Sequence, residues 1–205
     1  MQSKRERKIE REILWVLGLL AAIIVVYLVA SSLFSSFNSF TYNGLHFTKE
    51  RLDSIQLFHY NYFFKGADNK VYKYNLYLRH DPRTNDVPIS GDKIKFTKPY
   101  TSYISVDSDG LQECQYSAIA IGGLAGFLRD NQIPVQGALR DFQQANAQQK
   151  DWITCDNKPA NPVIEIFSGN KTQITIDKNC YRIEVANCEI LQAVEKFQIQ
   201  TILDA

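Results

Sequence analysis

Between Ile13 and Phe34 the chain runs for 22 residues without a charged side chain, ILWVLGLLAAIIVVYLVASSLF. As an α-helix rising about 1.5 Å per residue the run would extend roughly 33 Å, enough to cross the hydrocarbon core of a bilayer. A helix with no polar face does not suit the surface of a water-soluble core, so this stretch points to an anchor. Trp15 near one end and Phe34 at the other suit the membrane interfaces. Ahead of the run, Lys4, Arg5, Arg7, Lys8 and Arg11 outnumber Glu6, Glu10 and Glu12. Basic residues dominate topology, which holds this end in the cytoplasm and sends the rest outside. The rival reading is a cleaved signal peptide with Ala30-Ser31-Ser32 at its cleavage site. Such peptides usually carry apolar cores of only about 7–15 residues, and the longer run favours an uncleaved signal-anchor. The expected organisation is a cytoplasmic basic segment (1–12), a transmembrane signal-anchor helix (13–34) and an extracytoplasmic, disulfide-stapled α+β domain (37–205).

Five of the 23 basic and three of the 22 acidic residues fall before position 37, so the exported part carries 18 against 19. That near-neutral balance offers no electrostatic footprint for nucleic acid. Residues 37–106 are rich in Tyr and Phe and alternate like strands. Phe58, Tyr60, Tyr62 and Phe64 share one face of the segment 55–64, and Tyr72, Tyr74, Leu76 and Leu78 share one face of 71–79. The Gly/Asn-containing stretch Lys65–Lys70 between them predicts a hairpin. Lys93–Thr97 and Ser102–Val106 read as further strands. The aromatic face is expected to be core, with a ligand platform on Tyr60, Tyr62, Tyr72 and Tyr74 as the alternative.

After Asp107-Ser108-Asp109-Gly110 the pattern changes. Ser117–Leu128 predicts a core helix whose Gly122, Gly123 and Gly126 would be offset by close packing on a sheet. Gly137–Gln149 predicts an amphipathic helix. Trp152–Thr154, Val163–Phe167, Gln173–Ile176 and Tyr181–Val185 predict short strands. Asn187 is placed to cap a final helix carrying Ile190, Leu191, Val194, Phe197 and Ile202. The expected fold class is α+β: a single N-terminal transmembrane helix followed by one exported mixed α/β domain. Its first half is strand-rich, and its second alternates strand and helix in a partly parallel sheet.

Cys114, Cys155, Cys180 and Cys188 all follow the apolar run, and an even count outside a membrane favours two disulfides. A Cys180–Cys188 bridge is disfavoured because the intervening strand would hold the two ends roughly 20 Å apart. Val163–Phe167 and Tyr181–Val185, separated by one reversed strand, should start at the same sheet edge. That places Cys155 near Cys180 and leaves Cys114 for Cys188. A structural zinc site usually shows closely spaced cysteine pairs, and spacings of 41, 25 and 8 positions do not supply them. No metal and no cofactor is expected.

Catalytic motifs are sparse. His46, His59 and His80 form no recognisable metal or catalytic pattern. Ser90-Gly91-Asp92-Lys93 matches a Ser-x-x-Lys spacing but sits at a loop-to-strand junction instead of on a helix turn. Asp107 and Asp109 start like a calcium loop without its later ligands, and they are weak ligand-site candidates. Asn170-Lys171-Thr172 is a glycosylation sequon, which makes Asn170 a candidate acceptor.

The stretches YNLYLRHDPRTNDVPISG (74–91), CQYSAIAIGGLAGFL (114–128), ITC (153–155) and GNKTQITIDKNCYRIEVANCEILQAVEKF (169–197) resemble a family of single-pass membrane proteins. That family belongs to small-genome archaea of the woesearchaeal and pacearchaeal kind and has no assigned function. The resemblance takes in the anchor and the local setting of all four cysteines. It implies an archaeal cell-surface protein and supplies no catalytic residues.

The expectation is therefore a non-enzymatic, membrane-anchored extracytoplasmic domain, acting as a scaffold, adhesion element or complex subunit among envelope protein partners. The alternatives are an envelope hydrolase or transferase using carboxylates, with Asp107 and Asp109 first and His80 and Asp81 next, and a ligand-binding sensor.

Overall fold

A computed structural model describes residues 4–66, 68–96 and 100–205, and within the first helix the side chains of 14–29, 31 and 38. Met1–Ser3, Ala67 of the expected 65–70 turn and Thr97 of the expected strand 93–97 lie outside the described residues. So do the side chains of the basic segment and of Phe34.

Helix α1 (Lys4–Asn38) passes without a linker into strand β1 (Ser39–Tyr42). The side chains of Leu14–Val29 are exposed throughout. Among the described residues, no helix is long and apolar enough to cross a membrane, so the expected transmembrane span 13–34 rests on the sequence alone. Strands β1, β2 (Leu45–Leu52), β3 (Ile55–Lys65) and β4 (Val71–Leu78) form an antiparallel meander in sequence order. Its turns use left-handed backbone at Asn43, Gly44, Asp53 and Asn69, residue types that tolerate it. The period-2 pattern holds on the inner face. Phe58 faces Leu78, Tyr60 faces Leu76 and Tyr62 faces Tyr74 across the β3–β4 ladder.

A second sheet of six strands is mixed, in the order β5-β9-β10-β8-β6-β7. It comprises β5 (Ile89–Gly91), β6 (Ser102–Val106), β7 (Val135–Leu139), β8 (Val163–Ser168), β9 (Gln173–Asp177) and β10 (Cys180–Val185). Strands β7, β6, β8 and β10 are parallel, while β9 runs back against β10 and carries β5 parallel to itself. Parallel strands buried on both faces read as apolar runs, and Val163–Ile166 is buried at every position. Helices α2 (Ser117–Asp130) and α4 (Ile190–Leu203) pack on each other and join both sheets in one core. Phe127 of α2 meets Tyr74 edge-on, and Phe197 of α4 meets Tyr181 in the same way.

Four local expectations are corrected. The segment Gly137–Gln149 is not one helix. Val135–Leu139 pairs with Ser102–Val106 as a strand, and α3 (Phe142–Gln148) starts after Asp141, whose carboxylate caps Gln144 N–H. Lys93–Phe96 joins no ladder, because the Ile94 and Lys95 amides donate to the Asp204 carboxylate and the Tyr181 hydroxyl. Of Trp152–Thr154, only Trp152 forms a bridge, to Leu139. Asn187 has left-handed backbone, and Glu189 occupies the cap position of α4. The glycines of α2 also differ from expectation: a Cβ at Gly122, Gly123 or Gly126 would meet nothing within 4 Å.

Candidate binding cleft

On the sheet face turned away from α2 and α4, alternation along β8 brings Val163 and Glu165 to the same side. The parallel register sets Glu165 opposite Arg182 of β10 and Ser105 of β6. Glu165 is 3% exposed. Burying a carboxylate demands compensation. One oxygen accepts the Cys155 amide at 2.8 Å, and the other lies 3.5 Å from both Arg140 Nε and Arg182 Nε. Arg140 also lies over the Phe167 ring at 4.2 Å, a cation–π contact.

The segment carrying Cys155 is held over the sheet by three further links. Cys155 is bridged to Cys180, Ser105 Oγ donates to the Ile153 carbonyl, and Trp152 Nε1 donates to the Arg140 carbonyl. Trp152 remains 44% exposed and meets Phe142 edge-on. Between this segment and α3 lies an open cleft of about 730 Å³, lined by Asp107, Arg140, Phe142, Trp152, Glu165 and Arg182 among others. Carboxylates, guanidiniums and two exposed aromatic rings together suit a polar ligand with a flat apolar face.

Asp107 lies on this cleft at the end of β6, where its carboxylate accepts Gly110 N–H. Asp109 lies on the adjoining turn, exposed and outside the cleft lining. His80 and Asp81 are elsewhere. His80 Nδ1 is 2.7 Å from the buried Glu195 of α4, and Asp81 is paired with Arg83. Glu195 also accepts the Arg79 and His80 amides. The hydrogen bond to Glu195 raises the His80 pKa above 6.5. Asn170 is exposed in the β8–β9 turn, with its amide on Glu184, while the Thr172 hydroxyl bonds the Ala186 backbone.

Cys114–Cys188 and Cys155–Cys180 are the two disulfides, and they leave no thiolate for a zinc set. Among the described residues, no cluster of His, Cys, Asp or Glu is arranged to hold a metal. The four platform tyrosines are mostly turned inward. Tyr60, Tyr62 and Tyr74 are half-buried, and the Tyr62 and Tyr74 rings are inclined by 51°. Burial pushes the Tyr62 and Tyr74 phenols up to about 12. Only Tyr72 is exposed, its hydroxyl donating to Asp68.

Glu165, Arg140, Arg182, Trp152 and Glu195 were not singled out from sequence. A signal existed for the first: Val-Ile-Glu-Ile-Phe sets one charge in an otherwise apolar strand. Aligning that strand with Cys-Tyr-Arg-Ile-Glu-Val at their shared edge would have paired Glu165 with Arg182. No protein-family model, curated protein or solved structure matches the chain.

Proposed function

We propose that the chain is a membrane-tethered extracytoplasmic domain that works by binding, as a scaffold, adhesion element or complex subunit of the cell envelope. Its N-terminus is cytoplasmic and its disulfide-bonded domain lies outside. The observation that carries this reading is the pairing of all four cysteines, since thiols stay reduced in the cytosol of most cells. The 22-residue uncharged run and the exposed apolar side chains of Leu14–Val29 support the anchor. The binding reading is supported by how the cleft is built. Its central carboxylate is committed to an amide and two guanidiniums, leaving outward-facing aromatic and polar groups.

The test combines topology with redox state. In intact cells, externally added protease should remove the domain and spare the first twelve residues, and the released fragment should gain no alkylation without reductant. A protected domain, or four alkylated thiols, would overturn the reading. The second reading, a carboxylate-dependent envelope hydrolase or transferase, draws on Asp107 sharing a cleft with Glu165, Asp141 and Asp156. A defined turnover by the purified protein that is lost in Asp107→Asn would put it first. Asn170 is a proposed glycan site, checked by the intact mass of its tryptic peptide.

A further inference from the structure

The β2–β3 hairpin outruns both of its neighbours in the four-stranded sheet. Strand β1 begins at Ser39, which pairs with Thr48, and β4 ends at Leu78, which pairs with Phe58. Beyond those rungs, only Glu50–Leu57, Arg51–Gln56 and Leu52–Ile55 continue the ladder, closed by Asp53-Ser54. This ribbon projects from the sheet end at which β1 starts, and α1 joins the sheet at that same end.

The residues on the ribbon are sorted by face. Leu52, Ile55 and Leu57 lie on one side with Glu50, and Arg51 and Gln56 lie on the other. Leu52 is 62% and Ile55 39% exposed, so the tip presents an aliphatic pair outward. The turn residues between them, Asp53 and Ser54, are polar, and the aliphatic pair sits on the last rung behind them.

We infer that this hairpin tip rests in the interface of the bilayer that α1 crosses, with Leu52 and Ile55 among the headgroups and Arg51 beside the lipid phosphates. The inference rests on α1 being a membrane anchor. Its reach follows from chain geometry. Four strand residues carry Leu52 about 13 Å past the level of Ser39. Five helical residues place Ser39 only about 7.5 Å beyond Phe34, the end of the uncharged run. The ribbon therefore covers the distance to the membrane surface even when inclined by about 45°, which leaves roughly 9 Å. Because helix and strand join without a linker, the tip is held at that depth. Two aliphatic side chains add only a second, weak attachment, so their role is to fix the domain's tilt on a membrane already joined through α1.

Site-specific photo-cross-linking of the full chain in phospholipid nanodiscs tests this. A benzophenone side chain is placed in turn at positions 25, 52 and 43, the last in the β1–β2 turn at the far end of the same sheet. Lipid adducts at 25 and 52 with none at 43 are expected. Adducts at 25 alone overturn the docked hairpin and leave the anchor standing. Equal adducts at 52 and 43 also overturn it, because labelling would then not follow the geometry. No adduct at 25 removes the anchor, and the hairpin's role falls with it.

Discussion

His80 and Glu195 show how single groups tie the first sheet to the last helix. The imidazole is half-buried, and its hydrogen bond to the Glu195 carboxylate favours the charged form, outweighing desolvation and the nearby Arg79. A pKa raised on folding adds stability that is fully present below about 6.5 and is lost as pH climbs through the raised value. The urea midpoint is accordingly expected to fall between about pH 5.5 and about pH 8.5, with His80→Gln flattening that part of the profile. Glu165 is the stronger test of burial. Glu165→Ala strands the Cys155 amide without an acceptor and should cost about 1–3 kcal/mol by chemical denaturation. Glu165→Gln, which keeps an acceptor, should recover part of that loss. Glu195 left no local mark in the sequence, because its partner His80 lies 115 positions away. The single charge of Glu165 in an apolar strand was a mark that only the pairing with Arg182 makes meaningful. Asp107 was found because a loop between strand and helix has a readable composition. Asp109 was a neighbour in sequence and not in the cleft.

At the scale of elements, period decides what is legible. The alternation of β3 and β4 was read correctly because one face is buried and the other wet, so every second residue is constrained. The Gly137–Gln149 segment was misread for a different reason. An edge strand with only Ala138 buried leads through Arg140 and Asp141 into a short helix, and Ala138, Leu139, Phe142 and Ala145 fall by chance at helical spacing. Lys93–Phe96 alternates like a strand, yet side-chain acceptors from Asp204 and Tyr181 take its amides instead of a ladder. Glycines separate in the same physical way. Gly122→Ala and Gly123→Ala add a methyl into open space on α2, and each should raise stability by about 0.5–1 kcal/mol in thermal or urea melts. Gly91→Ala should lower it by more than that. Gly91 has φ +105°, and a Cβ there would run into the Ile176 carbonyl across the β5–β9 pair.

The whole molecule is closed by links far apart in sequence. Cys114–Cys188 joins the approaches to α2 and α4 over 74 residues, and Cys155–Cys180 pins the cleft segment over 25. Loop entropy assigns these about 4.4 and about 3.5 kcal/mol respectively. Cys114→Ser/Cys188→Ser should therefore depress the melting temperature more than Cys155→Ser/Cys180→Ser, by calorimetry. Reduction of the wild type should exceed either. The class and the shared starting edge of β8 and β10 are legible in the sequence, since cysteine placement and strand direction constrain each other. The existence of two separate sheets was not readable, because alternating strands say which side is wet and not which strands are neighbours. The same junction that lacks a linker has a mechanical consequence. With α1 held, a pull on the domain away from its support reaches the fold through Ser39 and runs along β1. The four rungs of β1 on β2 are then loaded together in shear instead of being unzipped one by one. Both disulfides lie beyond that ladder, so under tension β1 is the fuse and the cross-linked core is what it protects.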